Sequence, residues 1–402
     1  MTLPSHYSRG PRRARGFSLV ELMVALALGL LLTIAMAAVY ITGKSSFSRQ
    51  QQLSSLQQNV RIAFEYLGSD ARMVGHMGCF TGSDTSSATL FANNLGAGLA
   101  TNYAYGVEGY EYTTGAYTLT ANAPADITTA ASWATNTATN ANAVNTIPVA
   151  TIAGAGNGLT PGSDVLAIRT AAGRPVRLAA NANTGAGQTT FTIETMAASS
   201  GKCSNGTTDK LSGFCANSHG LIASCSQARV FQVNTITAGA SPAPSTLTLG
   251  ASMGADPEYL PAATEVFPMQ TIVYYVKQSL SNTTTTSLYR RIFDGDNAAG
   301  LEQELIEGVE NLQLRYGVDT DATPDGIVNA YVNANAVTNW NTVVAVRMSL
   351  LMRTTTPVDT DTTVATGGVV NGVAITYPTT GSKYDRRVFT TTVAVRNKIS
   401  YF

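Results

Sequence analysis

Residues 17–41 read FSLVELMVALALGLLLTIAMAAVYI, and this stretch decides the architecture of the chain. From Leu22 to Ile41 no side chain is charged, and about twenty helical residues rise about 30 Å, which is one hydrocarbon thickness. Four arginines precede the stretch, at positions 9, 12, 13 and 15, whereas Lys44 and Arg49 follow it. The positive-inside rule therefore predicts one membrane-spanning helix with its N-terminus in the cytoplasm.

Glu21 is the one charged residue inside the apolar stretch. A carboxylate in a membrane helix costs roughly 2.5–3.5 kcal/mol on insertion scales, so Glu21 is a candidate functional residue. One alternative is that its carboxylate simply reaches the membrane interface, since Glu21 follows Phe17 closely. Another is a cleaved secretory signal peptide, although the apolar run exceeds the usual length of about 7–15 residues.

Residues 15–25, RGFSLVELMVA, resemble the type IV prepilin signature, in which a basic leader ends at a glycine and a glutamate follows in the apolar stretch. The resemblance implies cleavage by prepilin peptidase between Gly16 and Phe17 on the cytoplasmic side. N-methylation of the new amino terminus at Phe17 would follow, and residues 1–16 would be a leader that the mature protein lacks. Glycine suits the cleavage position because it has no side chain to block access.

The same resemblance implies a partner for Glu21. In type IV pilins the acid at this position pairs with the terminal amine of a neighbouring subunit. A positive amine buried among apolar helices needs a counter-charge, and a buried pair is stabilising only relative to an unpaired charge. We therefore expect Glu21 to set the register of assembly, because a subunit is accepted when its amine meets a carboxylate.

The helix is predicted to continue beyond the membrane segment. No proline occurs between Phe17 and Phe80, so nothing interrupts a single helix from Phe17 to about Val74. Residues 17–41 are apolar on all sides, whereas residues 42–75 are amphipathic, with apolar residues three and four positions apart. These apolar residues are Leu53, Leu56, Val60, Phe64, Leu67, Ala71 and Val74. We expect this stripe to pack on a globular head.

The head, residues 76–402, is predicted to be rich in β-structure. Residues 81–260 are rich in Thr, Asn, Ala and Gly and are expected to form a loop-rich insertion, with strands at 164–169 and 228–233. Residues 265–400 are expected to form the core sheet, because apolar residues alternate at 272–276, 312–318, 344–352 and 389–395. The expected fold class is α+β, a long N-terminal helix packed on an antiparallel β-sheet head.

The C-terminal part of the head resembles PilW-type minor pilins of the type IV pilus. The similar stretches are LIEGVENL at 305–312, YGVD at 316–319, Trp340 with residues 343–352, and DRRVF at 385–389. The resemblance implies a minor pilin that is anchored in the inner membrane by a single pass, with a periplasmic head, and later joins the pilus fibre at the cell surface. It would prime pilus assembly within a minor pilin complex at the fibre tip, and adhesion and twitching motility would follow from the pilus.

The partners that the resemblance implies are other minor pilins, the major pilin, the prepilin peptidase and the inner-membrane assembly platform. Two other functions stay open. A minor pseudopilin of type II secretion has the same N-terminus and the same priming role. A tip adhesin would instead recognise a surface through the loops between residues 81 and 256.

Charge and motifs argue against two further classes of protein. The chain has 25 basic and 25 acidic side chains and no basic cluster beyond residue 15, so nucleic acid is not an expected partner. No enzyme activity and no cofactor are expected, because the sequence has no H-E-x-x-H, G-x-S-x-G or P-loop motif. The three histidines are His6, His76 and His219.

Four cysteines lie on the predicted outer side of the membrane: Cys79, Cys203, Cys215 and Cys225. An even number in an oxidising compartment predicts two disulfides, for which three pairings are possible. We favour Cys203–Cys215 as a local loop closure and Cys79–Cys225 as a link from the helix end to the sheet. A zinc site is the alternative, although no C-x2-C pair occurs and His219 is the only histidine nearby.

An acidic loop contains Asp319, Asp321 and Asp325. These carboxylates could hold calcium, but the loop lacks the EF-hand spacing and its distal bidentate glutamate. A solvated turn is the favoured interpretation, and no metal site is assigned.

Overall fold

The fold combines one long helix with a β-rich head, and the predicted α+β class is confirmed. The computed structural model describes residue 16 and residues 18–80, 91–113, 117–118, 133–134, 149–153, 158–183, 187–196, 198–254, 258–357, 367–376 and 384–395. The chain divides into two units, Met1–Gln52 and Leu53–Phe402, which are described separately below.

Helix α1 runs without interruption from Leu19 to Arg72. It begins at Ser18, whose side-chain oxygen accepts a hydrogen bond from the backbone N–H of Glu21 at 3.2 Å. It ends just before Gly75, which has a φ of 67° that few other residues adopt. The predicted end at about Val74 lies two residues beyond the observed one. A second, short helix, α2, spans Val149–Ala153.

Residues 81–260 contribute more strands than the sequence predicted, because their described part contains twelve. These are β1 (Phe91–Asn93), β2 (Val107–Tyr112), β3 (Tyr117–Thr118), β4 (Trp133–Ala134), β5 (Val165–Ala171), β6 (Val176–Arg177), β7 (Thr190–Ile193), β8 (Ala198–Lys202), β9 (Asp209–Leu211), β10 (His219–Ala223), β11 (Ala228–Thr237) and β12 (Ser245–Leu249). The strands expected at 164–169 and 228–233 correspond to β5 and β11. Most of the others are only two to six residues long, so their alternation is too short to be recognised in the sequence.

Residues 265–400 contain the longer strands. They are β13 (Glu265–Gln278), β14 (Thr286–Phe293), β15 (Leu301–Glu307), β16 (Val309–Val318), β17 (Ala330–Val332), β18 (Val343–Arg353), β19 (Gly367–Val370), β20 (Val373–Thr376) and β21 (Arg386–Ala394). Single turns of 3-10 helix occur at Pro261–Ala263, Ala334–Ala336 and Trp340–Thr342. The four stretches with predicted alternation lie in β13, β16, β18 and β21.

Strand β13 organises a twelve-stranded sheet. Along the main path the strands follow the order β4-β2-β5-β13-β10-β11-β12-β7, and β14 and β15 extend the sheet from β13. The pairs are antiparallel, apart from β1, which runs parallel to β11. Because β13 is fourteen residues long, its first half pairs with β10 and its second half with β14. Strands from the N-terminal part of the head therefore belong to the same sheet as β13, β14 and β15.

A separate four-stranded antiparallel sheet has the order β17-β16-β18-β21. Its inner face carries the alternating apolar residues of β16 and β18, including Leu312, Leu314, Val346 and Met348. Two smaller sheets, β19-β20-β3 and β8-β9, complete the described strands.

The main core of the head lies between the second half of helix α1 and these sheets. Leu56, Val60, Leu67 and Ala71 of the predicted stripe are buried there with the inner residues of β16 and β18, as is Val74 just after the helix. Full burial of one such large apolar side chain is worth about 1.5–3 kcal/mol. Asp70 adds a polar contact, because its Oδ2 atom accepts a hydrogen bond from the Tyr274 hydroxyl at 2.5 Å. The helix from Leu53 onward is thus an integral part of the head.

Candidate functional site

The predicted processing and pairing residues lie within six positions of one another in the sequence, at and just before the start of helix α1. Ser18 and Glu21 occupy the first and fourth positions of an S-x-x-E sequence, which is typical of a capping box. Ser18 makes its half of the motif, since its Oγ atom accepts the bond from the Glu21 N–H. Gly16 is exposed, and Phe17 lies outside the described residues. The role of Ser18 as the cap can be read from this motif in the sequence.

The carboxylate of Glu21 is exposed and free to meet a cation from elsewhere. Among the described residues, no hydrogen bond returns from the Ser18 N–H to this carboxylate, so the second half of the capping box is not formed. The basic residues of the described part of the same unit are Lys44 and Arg49, which lie about 35 Å or more along the helix. Glu21 therefore has no nearby counter-charge within the described part of its own unit.

The helix surface from Leu19 to Ile41 is apolar and uncovered. Its large side chains are 52–75% exposed, and none of them is buried. The hydroxyl of Thr33 donates to the Leu30 carbonyl oxygen at 2.8 Å, so this polar group is satisfied within the helix. By length and composition this part of the helix can cross a membrane. Such a surface requires lipid or other apolar helices around it.

Two disulfides stabilise the head: Cys79–Cys225 and Cys203–Cys215. The first joins the segment after helix α1 to the turn between β10 and β11, and the second closes a local loop. They are the two pairs favoured from the sequence. Because all four sulfur atoms are bonded in pairs, no thiolate is left for the alternative zinc site.

The acidic loop forms a hydrogen-bonded turn. Asp319 accepts bonds from the backbone N–H groups of Asp321 at 3.2 Å and Gly326 at 2.8 Å, and Asp325 accepts one from the N–H of Ile327. The three carboxylates have oxygen atoms within 4.8 Å of one another. Asp321 accepts a bond from the Asn329 side-chain amide, so all three carboxylates have donors and the loop conformation is explained without an ion.

The histidines of the described chain lie in packed surroundings. His219 is buried in β10, and its Nδ1 atom lies 3.0 Å from the Tyr103 hydroxyl. Burial lowers the pKa of His219 to about 4, so its ring is neutral at pH 7. The ring borders a cavity of about 200 Å³ that is also lined by Asn94, Thr101 and Gln232. His76 packs against the ring of Phe267.

A buried polar cluster joins the two main sheets, and the sequence analysis missed it. Asp164, just before β5, accepts the N–H of Tyr112 in β2 at 3.1 Å and the N–H of Leu314 in β16 at 2.8 Å. Burial raises the pKa of Asp164, and it raises that of nearby Glu111 to about 7. These two contacts join residues 52 and 150 positions apart, so no local pattern points to them.

A buried ion pair lies within the large sheet. The Arg169 guanidinium contacts the Glu108 carboxylate at 2.7 Å, and both side chains are almost fully buried. Arg169 also donates to the carbonyl oxygens of Leu99 and Tyr105. The pair is therefore hydrogen-bonded within the core, which is the arrangement that makes a buried charge tolerable.

Two parts of the chain match known families. Residues 273–397 match the family described as type IV pilus-assembly protein W, PilW, and residues 11–37 match the prokaryotic N-terminal methylation motif. The first match begins inside β13 and runs through β21, and the second contains Gly16, Phe17 and Glu21. No curated protein and no solved structure matches the chain. The matches confirm both resemblances that the sequence suggested.

Proposed function

We propose that this chain, a PilW-family pilin with a prepilin signature, is a minor pilin that takes part in priming type IV pilus assembly. The observation that carries the proposal is the surface of helix α1 from Leu19 to Ile41. It is apolar on all sides and exposed, and Glu21 is its one charge. A surface of this kind suits lipid before assembly and the packed helices of a fibre afterwards.

Processing precedes assembly in this proposal. The basic leader keeps the N-terminus in the cytoplasm, where prepilin peptidase cuts after Gly16 and the amine of Phe17 is methylated. The membrane segment leads to a periplasmic head, in agreement with the two disulfides of that head. The methylation-motif match over residues 11–37 supports this order of events.

Glu21 supplies the counter-charge for the Phe17 amine of a neighbouring subunit. Its carboxylate is exposed, and the basic residues of the described part of its unit are about 35 Å or more away. Leaving one charge of a buried pair uncompensated costs about 3–5 kcal/mol, so a subunit in the wrong register would be rejected. The partners are other minor pilins, the major pilin and the inner-membrane assembly platform, and the head would lie near the fibre tip.

The test compares Glu21→Ala and Glu21→Gln with the matched control Glu65→Ala, which removes an exposed acid from the same helix within the head. Membrane fractions and sheared fibres are analysed by N-terminal mass spectrometry, which reports cleavage, methylation and fibre membership together. We expect normal cleavage in all three variants. We expect incorporation into fibres to fall at least about tenfold in both Glu21 variants and to stay normal in the control.

Normal incorporation of both Glu21 variants would contradict the pairing mechanism. Recovery of only the uncut chain, never with extracellular fibres, would contradict the pilin function as a whole. A deletion strain separates the pilus from the alternative secretion role. Loss of surface fibres with intact type II secretion supports the pilus, and the reverse result supports a pseudopilin.

A further inference from the structure

Two arginines face each other on the outer surface of the four-stranded sheet. Arg315 in β16 and Arg347 in β18 are direct cross-strand partners, and both side chains are half-buried. They lie on the face opposite to the core residues Leu314, Tyr316 and Val346, as the alternation of a strand requires. Side chains in such positions start about 4.5–5.5 Å apart, and like charges directly opposite are destabilising.

Both guanidinium groups are held in place by neutral neighbours. Arg315 donates from Nε to the carbonyl oxygen of Asn371 at 2.7 Å, and the Arg347 guanidinium lies 3.8 Å from the centre of the Tyr331 ring. Asn371 and Gly372 form the tip of the β19–β20 hairpin and have φ angles of 50° and 92°. A Cβ atom at Gly372 would overlap Nη2 of Arg315 and lie 3.1 Å from its Cζ atom, so the glycine permits this close approach.

No carboxylate of the described residues forms an ion pair with either arginine. Burial raises the pKa of Glu111 to about 7, although a backbone hydrogen bond from Ala334 and the charge of Arg315 both lower it. Glu111 is therefore about half protonated near pH 7, and even when ionised it supplies one negative charge against two positive ones. Among the described residues, these contacts use one N–H group of Arg315 and the face of the Arg347 guanidinium, whereas each arginine side chain carries five N–H donors.

We propose that Arg315 and Arg347 form a binding site for a carboxylate group. Arginines at paired positions of neighbouring strands can together present several N–H donors to one planar anion, which would remove the repulsion between them. Nucleic acid is a poorer fit, because a phosphate backbone is bound by a row of cations and this site has two on a chain of zero net charge. The carboxylate belongs either to an acidic side chain of another protein subunit or to a small organic acid.

The binding test does not depend on the proposed function and uses the full chain in detergent. The melting temperature is measured in sodium malonate and in sodium chloride at equal ionic strength, for wild type, Arg315→Gln, Arg347→Gln and Arg347→Lys. Arg387→Gln, which removes an exposed arginine from β21, is the control. We expect malonate to raise the melting temperature of wild type and control by about 2–4 °C, and to raise neither Gln variant.

Arg347→Lys should fold with the same charge and show a smaller shift, because lysine lacks the planar fork that fits a carboxylate. Equal shifts in wild type and in both Gln variants would overturn the proposal, since they would reflect a general effect of the salt. Fibre incorporation of Arg315→Gln then identifies the source of the carboxylate. A loss with normal cleavage assigns it to a neighbouring subunit, and no loss assigns it to a small acid.

Discussion

The contact between Gly109 and Tyr316 leads to a sharp prediction about how the sheets of the head fit together. Gly109 lies in β2, and a Cβ atom added there would overlap the hydroxyl oxygen and the Cζ atom of Tyr316 and lie 2.8 Å from its Cε2 atom. Tyr316 is fully buried, and its ring meets the ring of Trp340 edge to face with centroids 4.8 Å apart. Gly109→Ala therefore forces a packed aromatic pair to move.

The expected cost follows from this geometry. Overpacking a core usually lowers the free energy of unfolding by about 1–3 kcal/mol. The contact at Gly109 is very close and the ring is confined, so we expect Gly109→Ala to cost about 3 kcal/mol. The matched control is Gly250→Ala, because a Cβ atom there would meet nothing closer than 3.6 Å. We expect the control to change the free energy of unfolding by no more than about 0.5 kcal/mol.

Urea unfolding of the full chain in detergent, followed by tryptophan fluorescence, measures both changes. The chain has two tryptophans, and one of them, Trp340, touches the perturbed ring. A second background tests the cause: Tyr316→Leu shortens the side chain, so Gly109→Ala should cost at least about 1 kcal/mol less there. The explanation by overpacking would be refuted if Gly109→Ala lowered the free energy of unfolding no more than Gly250→Ala does. It would also be refuted if Gly109→Ala cost the same in the Tyr316→Leu background as in the wild type.

Two further predictions concern pH and the disulfides. Burial raises the pKa of Glu111 from 4.5 to about 7. Between these pH values the folded state keeps a proton that the unfolded chain releases. The free energy of unfolding therefore falls as the pH rises from 4.5 to about 7. In urea unfolding, the free energy of unfolding of the wild type should be up to about 3 kcal/mol lower near pH 8 than near pH 5, and Glu111→Gln should lack this loss. An equal loss in both chains would contradict this prediction. Replacing both cysteines of Cys79–Cys225 by serine should lower the free energy of unfolding by about 5 kcal/mol. The same replacement at Cys203–Cys215 should lower it by about 3 kcal/mol, because the bridged residues are 146 positions apart in the first pair and 12 in the second. A larger loss for the shorter loop in the same assay would contradict the chain-entropy explanation.

The helix and its membrane segment could be predicted because their signals are local. Residues 19–41 are apolar with Glu21 as the one charge, and the spacing of Leu56, Val60, Leu67 and Ala71 repeats with the period of the helix. The strands β13, β16, β18 and β21 were recognised for the same reason, since each is long enough to show a period of two. Short strands such as β2 and β10 show too few repeats to be distinguished from loops.

The sequence by itself determined the position of the membrane helix, the cap and single acid at its start, and the positions of the four long strands β13, β16, β18 and β21. These features depend on neighbours a few residues apart, so a pattern in the chain records them. Tertiary structure alone decided that Asp164 bonds β2 to β16 and that Arg315 faces Arg347. Such contacts depend on the register between strands that are tens to hundreds of residues apart, and a shift of one residue in that register would turn every side chain to the other face.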